Sequence, residues 1–241
     1  MTITKEDITI WEGDQRTDEW HAQRLGRLSG SNAHDMLSRK KPETKARRNL
    51  RVALASERVF GQSAQSDYTN SAMEWGIEQE PHAINAYESR DLSEVTPVGY
   101  VVHKTLWLGC SPDGFVGEEG VLEVKCPHQM AVHWENLQAI QQGKIPARYL
   151  PQLRHNLWLT GREWIDFCTY YPAWADKSGM DLAVGRLHRK EAKLDDYATL
   201  ALDFLKEVEE EANTMQGLVD LMERPNPTLK GHMHTPFVGT V

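Results

Sequence analysis

The order of helical and strand-like segments predicts an α/β (α+β) fold in which helices cover a sheet. A stretch with helical periodicity at about 73–90 precedes three strand-like runs at 95–103, 106–116 and 120–126. Helical stretches at 130–141 and from near Pro146 to Thr160 lead to a fourth alternating run at 163–171, and a long amphipathic pattern follows over 194–224. Hydrophobic residues make up 40% and charged residues 26% of the 241 positions, proportions of a folded globular chain rather than a disordered or fibrous one. The length suits one core, so residues 1–241 are read as a single domain whose C-terminal part, about 190–224, is an appended helical layer.

Each element has a local reason. Residues 16–24 (RTDEWHAQR) read as a short helix with Thr17 or Asp18 as its N-cap. A second helix opens at Ser29 to Asn32, and a basic one runs from Glu43 to Phe60. The polar stretch 61–71, with Gly61 and several serines, reads as a loop. Between Met73 and Arg90, Trp75, Ile84 and Tyr87 form an apolar stripe at roughly helical spacing. The turn-like GEEG joins the strands 106–116 and 120–126. Leu150, Leu153 and Leu157 share a helix face, with Gln152 and Asn156 elsewhere on the cylinder. In the last helix Leu194, Tyr197, Ala201, Phe204, Val208 and Met215 recur at mostly three- and four-residue spacing, and Pro225 ends the pattern.

Composition excludes several classes. No apolar run approaches the ~20 residues needed to cross a bilayer, and the start lacks a signal-peptide layout, so no membrane association and a cytoplasmic location, in a bacterial or phage-infected cell, are expected. Cys110, Cys126 and Cys168 form no CxxC pair, which speaks against a disulfide framework or zinc ribbon and for reduced thiols in or near the core. The net charge of −8 argues against a polyanionic partner, but its distribution argues the other way. From Arg24 to Arg58 there are ten basic residues, Arg39, Lys40 and Lys41 among them, against three acidic ones. The run Glu207, Glu209, Glu210 and Glu211 makes the C-terminal third acidic and is expected to be a solvated helix face.

The chemistry concentrates on the hairpin. Asp113 sits in Cys110-Ser111-Pro112-Asp113-Gly114, at a kink where Pro112 removes a backbone donor and Gly114 relaxes the chain. Glu123 and Lys125 lie two apart in LEVKCP, so on a strand they share a face while Val124 points into the opposite apolar layer. Pairing across the GEEG turn brings Asp113 alongside Glu123. Two carboxylates and an ammonium are costly to gather, because like charges repel and burial penalises every ion. A divalent cation resolves the conflict; oxygen ligands suit magnesium, for which manganese can substitute, and magnesium takes one or two carboxylates plus water and phosphate. Asp113 and Glu123 are then the candidate metal ligands, with the backbone carbonyl of Val124 as a third. Lys125 is the candidate to position or deprotonate the attacking water and to stabilise charge on phosphorus. Energetics point the same way: a very slow hydrolysis needs about 20 kcal/mol of barrier lowering, and one general base supplies roughly 3–6 kcal/mol, leaving much to a Lewis acid. The spacing alone would equally suit a surface Glu/Lys ladder, but the bulky neighbours Trp107, Leu108, Val121, Leu122 and Val124 indicate a sheet that buries much of its surface.

SPDG followed by EVKCP resembles the PD-(D/E)xK nuclease superfamily, and specifically the phage lambda exonuclease family, also called the YqaJ-like viral recombinase family. EWHAQRLGRLSGS resembles its N-terminal block, MEWGIEQE its E-W-G-x₃-E helix motif, and YLPQLRHNLWLTG its glutamine-bearing helix; together they cover about 20–172 in the family's order. The resemblance implies a restriction-endonuclease-like core with a central mixed β-sheet flanked by helices. It implies metal ligation by Asp113 and Glu123, a catalytic role for Lys125, and Glu80 as an acidic residue directed at the site. It further implies a pocket for the 5′-phosphate of a DNA end formed by Arg24, Ser31, Ser111 and Gln152, and an apolar wedge at Met73. The implied activity is magnesium-dependent 5′-to-3′ digestion of one strand of linear double-stranded DNA, leaving 3′ overhangs and mononucleotides. A ring-shaped homotrimer and a single-strand annealing protein as partner in recombination are implied as well. No family contact aligns with Arg39, Lys40 or Lys41, and little matches beyond Tyr171.

Other residues invite weaker readings. Trp20 and Trp75 could stack on bases but suit a structural core, and His128 and His133 after Cys126 lack the second cysteine pair of a zinc site. His232 and His234 are expected to be solvent-exposed. An iron-sulfur-bearing relative would need four cysteines. Two alternatives remain: an endonuclease on the same core, and a non-catalytic DNA-binding scaffold, which the intact trio opposes.

Overall fold

The computed structural model describes residues 1–37, 42–64, 71–91, 93–175 and 179–223. Arg39, Lys40, Lys41, Pro225, His232 and His234 lie outside the described residues.

In chain order the elements are β1 (Ile8–Trp11), α1 (Asp18–Arg24), β2 (Leu28–Ser29), α2 (Ala33–Met36), α3 (Lys45–Phe60), α4 (Ser71–Asp91), β3 (Val95–Thr96), β4 (Tyr100–His103), β5 (Leu108–Cys110), β6 (Gly114–Val116), β7 (Gly120–Lys125), α5 (Met130–Gln141), α6 (Leu150–Thr160), β8 (Trp164–Tyr170), β9 (Leu182–His188) and α7 (Leu194–Glu223). Thr17 takes the cap of α1, its hydroxyl accepting from the Trp20 N–H.

The mixed five-stranded sheet has the order β3-β6-β7-β8-β9, and a smaller sheet has the order β1-β4-β5-β2. This divides runs that the sequence suggested were continuous. The run 95–103 splits between the two sheets, because Pro97 cannot donate to a ladder and Gly99 lies where a Cβ would meet the Trp11 carbonyl oxygen at 2.3 Å. The run 106–116 breaks at Ser111-Pro112-Asp113, placing β5 and β6 in different sheets. β1, β2 and β9 are further strands that periodicity did not indicate. β9 is an edge strand held in unbroken antiparallel register to β8, with Gly185 opposite Phe167. Its Arg186 forms a fork onto the buried Asp166 at 2.7 and 2.8 Å, and the Tyr87 hydroxyl from α4 donates to the same carboxylate at 2.7 Å.

The five-stranded sheet is covered on both faces. Leu122, Val124, Cys168 and Tyr170 pack with Ala83 and Tyr87 of α4, whereas Val121, Ile165 and Phe167 face the larger core with Leu153 and Leu157 of α6 and Phe204 and Val208 of α7. α3 packs on α7 through a charged seam. Arg47 forks onto Glu207 at 2.6 and 2.9 Å, Arg51 reaches Glu211 at 3.1 Å, Arg58 reaches Glu209 at 3.2 Å, and Glu43 bridges Arg47 and Arg51 at 2.7 Å each. Three of the four glutamates expected to form a solvated face, Glu207, Glu209 and Glu211, are therefore partners of the basic helix, while Glu210 stays exposed; this neutralises part of the charge that the sequence offered to a polyanion. Among the described residues no helix is long and apolar enough to cross a membrane.

Candidate active site

The hairpin register brings the acidic residues together. Gly114 pairs with Leu122, and the Asp113 N–H donates to the Leu122 carbonyl at 3.1 Å, so Asp113 stands opposite the Glu123-Val124 peptide. Its Oδ2 accepts from the Val124 N–H at 2.5 Å. Alternation along β7 turns Glu123 and Lys125 toward α6 and sends Val124 to the α4 side, as a period of two requires. Glu123, only 1% exposed, is held by three donors: Oε1 accepts from Lys125 Nζ and Gln152 Nε2, both at 2.5 Å, and Oε2 from Asn156 Nδ2 at 2.8 Å. Gln152 and Asn156 are one helical turn apart and so reach the same carboxylate.

Burial pushes the Asp113 carboxyl well above the usual carboxylate range; Glu123 and Glu80 add to the push, and Lys125 opposes it. Glu123 is raised as well, by burial first, against the pull of Lys125. For Lys125, burial favours the neutral amine, but attraction from Glu123 and Asp113 outweighs it and the ammonium is held above its ordinary value. One ammonium beside two desolvated carboxylates leaves excess negative charge, which a hard divalent cation would relieve. Asp113 Oδ1 has no hydrogen-bond partner among the described residues, and no group of three or more His, Cys, Asp and Glu side chains forms a cage there. Two carboxylates, one of them with a free oxygen, are a donor set that fits magnesium, whose remaining positions water and phosphate would fill.

A second cluster adjoins the first. Arg24 Nη2 donates to Ser31 Oγ at 3.2 Å, Ser29 and Ser31 hydroxyls are 3.0 Å apart, and the Arg24 guanidinium lies 4.1 Å from the Trp20 ring centre. The Trp20 indole N–H donates to Ser111 Oγ at 2.9 Å, so this ring ties Arg24, Ser31 and Ser111 into one constellation. Gln152, expected with that group, is engaged by Glu123, while its Cγ lies against Gly30 between the two serines. A Cβ on Gly30 would stand 2.5 Å from Asn156 Oδ1, so glycine is needed for the serine turn to approach α6.

Glu80 is close enough to raise both buried carboxylates, yet its own carboxylate is taken by Arg16 at 2.6 Å. Arg16 has φ 71°, uncommon outside glycine, and no sequence signal marked it. Asn156 had a detectable signal in its four-residue spacing from Gln152. Met73 is exposed on the first turn of α4. His128 sits edge-on to Trp75, and His133 is hydrogen-bonded to Thr169 and the Met180 carbonyl, so neither belongs to a cysteine-histidine metal set.

A carboxylate pair and a lysine on a hairpin of a helix-covered mixed sheet place the chain in the restriction-endonuclease-like fold class. The YqaJ-like viral recombinase domain matches residues 19–163, and the chain belongs to that family. An alkaline exonuclease from Laribacter hongkongensis is similar at 32% identity and TM-score 0.73 over 86% of this chain and 100% of that one; a second structure, that exonuclease in complex with dAMP, matches equally. A phage-related exonuclease from Haemophilus somnus 129PT, 12% identical, shares the fold at TM-score 0.61 over 80% of this chain and 96% of that chain. No curated protein matches the chain.

Proposed function

We propose that the protein is a magnesium-dependent exonuclease that digests one strand of linear double-stranded DNA from 5′ to 3′, leaving 3′ overhangs and releasing mononucleotides. The observation that carries this reading is the desolvated pair Asp113 and Glu123 beside Lys125, next to the Arg24, Ser31 and Ser111 cluster. Family membership and the similar alkaline exonuclease support it, and that relative's complex with dAMP accords with a deoxynucleoside monophosphate product.

Asp113, Glu123 and the Val124 carbonyl are the groups that would hold magnesium, which when bound supplies Lewis-acid polarisation of the phosphate and a lowered water pKa. Gln152 and Asn156 fix Glu123 in one rotamer, so the carboxylate is preorganised. Lys125, held as ammonium, orients water and stabilises negative charge developing on the phosphoryl oxygens. Arg24 offers a planar fork and Ser31 and Ser111 neutral donors to a terminal 5′-phosphate. Glu80, paired with Arg16, supplies further negative charge at the edge of the site, and Met73 stands exposed where it can wedge terminal base pairs. Recombination by single-strand annealing, with an annealing protein as partner and a ring-shaped homotrimer around the duplex, completes the proposal.

End-labelled duplexes with magnesium, calcium or EDTA test it. Mononucleotides appearing only with magnesium, from the 5′ end, are expected. Cutting of covalently closed circles would instead favour an endonuclease, and no release in magnesium would favour a scaffold.

A further inference from the structure

The flank of the site opposite Asp113 is built on β8. Thr169, fully buried, is the register partner of Lys125 on that parallel strand. Its Oγ1 is 3.1 Å from Asn136 Nδ2 and 3.1 Å from His133 Nδ1, both fully buried on α5. His133 Nε2 lies 2.8 Å from the Met180 carbonyl, which only accepts, so Nε2 carries the proton and Nδ1 accepts from the Thr169 hydroxyl. The Thr169 oxygen then accepts from the Asn136 amide, and Asn136 Oδ1 accepts from Arg148 Nη2 at 2.6 Å. Burial lowers the His133 pKa, in keeping with the neutral ring that this sense of donation requires. The direction of every bond in the chain is determined, and the charged end of it is a partly exposed guanidinium.

Arg148 is placed to meet an anion. It precedes α6, whose N-cap Tyr149 makes no side-chain capping bond and whose first turn holds no acidic residue. The Tyr149 ring stacks on Phe167, the register partner of Glu123, at 4.7 Å, and lies 5.0 Å from the Arg148 guanidinium. The remaining contacts of Arg148 are long, 3.5 Å to the Val132 carbonyl and 3.5 Å to Glu135, and its side chain is 42% exposed, so solvent screens that ion pair. A buried polar chain is favourable only when fully satisfied, and this one runs from the strand neighbour of Lys125 to one surface cation.

We propose that Arg148 is a second phosphate-binding group, gripping a backbone phosphate of the strand being cut from the β8 flank, while the Arg24 cluster lies on the β5–β6 flank. The buried chain Asn136, Thr169 and His133 sets its position. The inference rests on the nuclease reading. A guanidinium fork suits a phosphodiester, and a fixed one loses less freedom on binding than a mobile lysine.

Binding of a 5′-phosphorylated linear duplex in EDTA, read by fluorescence anisotropy across a salt series, tests this without turnover. Arg148→Ala is expected to weaken binding about tenfold and to reduce the slope of log K against log salt by about 0.9, the signature of one lost phosphate contact. Arg148→Lys should restore the slope but not the full affinity. Thr169→Val, which leaves every charge in place, should weaken binding severalfold. Wild-type affinity and slope in Arg148→Ala would overturn the phosphate contact, and wild-type affinity in Thr169→Val would overturn the positioning chain. Both results leave the nuclease reading standing if the wild type still cuts the duplex in magnesium. A wild type that does not cut overturns that reading and this inference together.

Discussion

His155 makes the helix that braces Glu123 sensitive to acid. The residue is fully buried between Gln152 and Asn156 in sequence; its Nε2–H donates to the Gly109 carbonyl at 3.0 Å and its Nδ1 accepts from the Tyr197 hydroxyl at 2.8 Å, joining α6 to β5 and α7. Burial holds its pKa down, from 6.5 to about 4. The unfolded chain therefore binds a proton over that window and the folded chain does not, so stability is full above the unfolded value and declines as pH falls toward the folded one. At 1.36 kcal/mol per pH unit the loss reaches about 3 kcal/mol, of which about 2.5 kcal/mol accrues between pH 7.5 and 4.5. Asp113 and Glu123 act in the opposite sense, since their raised values let the native state take up protons first, so wild type alone would show a blurred profile. Comparison with His155→Gln removes that background, because both proteins share those carboxylates. Urea unfolding of each at several pH values should show the stability advantage of wild type shrinking by about 2–3 kcal/mol between pH 7.5 and 4.5. Parallel profiles for the two proteins would refute a buried neutral His155.

Asp113→Ala is expected to abolish cleavage while end binding in EDTA stays largely intact; turnover in that variant would remove the metal assignment. Gly30→Ala should lower kcat by about tenfold or more, because the added methyl displaces Asn156 and loosens Glu123, and an unchanged rate would show that the brace is not needed. Arg24→Ala should narrow the rate difference between 5′-phosphorylated and 5′-hydroxyl ends, and a difference of wild-type size would place the phosphate elsewhere. Arg47→Ala should cost about 1–2 kcal/mol of stability, discounted for the partial exposure of Glu207, with activity per folded molecule unchanged; loss of activity without loss of melting temperature would mean that Arg47 touches DNA.

Local chemistry made much of this protein legible in one dimension. The two-residue spacing of Glu123 and Lys125, the turn between two apolar runs and the kink at Pro112 were enough to place two carboxylates and an amine on one sheet face, because strand alternation and hairpin pairing are short-range rules. The amphipathic helices were readable for the same reason. What the order of residues could not show depends on groups distant along the chain. β5 and β6 separate into different sheets, the arginines of α3 find the glutamates of α7 some 150–160 positions away, and Gln152 turns to Glu123 and not to Arg24. Arg16 on Glu80 and Arg148 on Asn136 belong here too. Charge and periodicity are properties of a segment; the partner that satisfies a buried or half-buried ion is chosen only when packing brings distant segments within hydrogen-bonding distance.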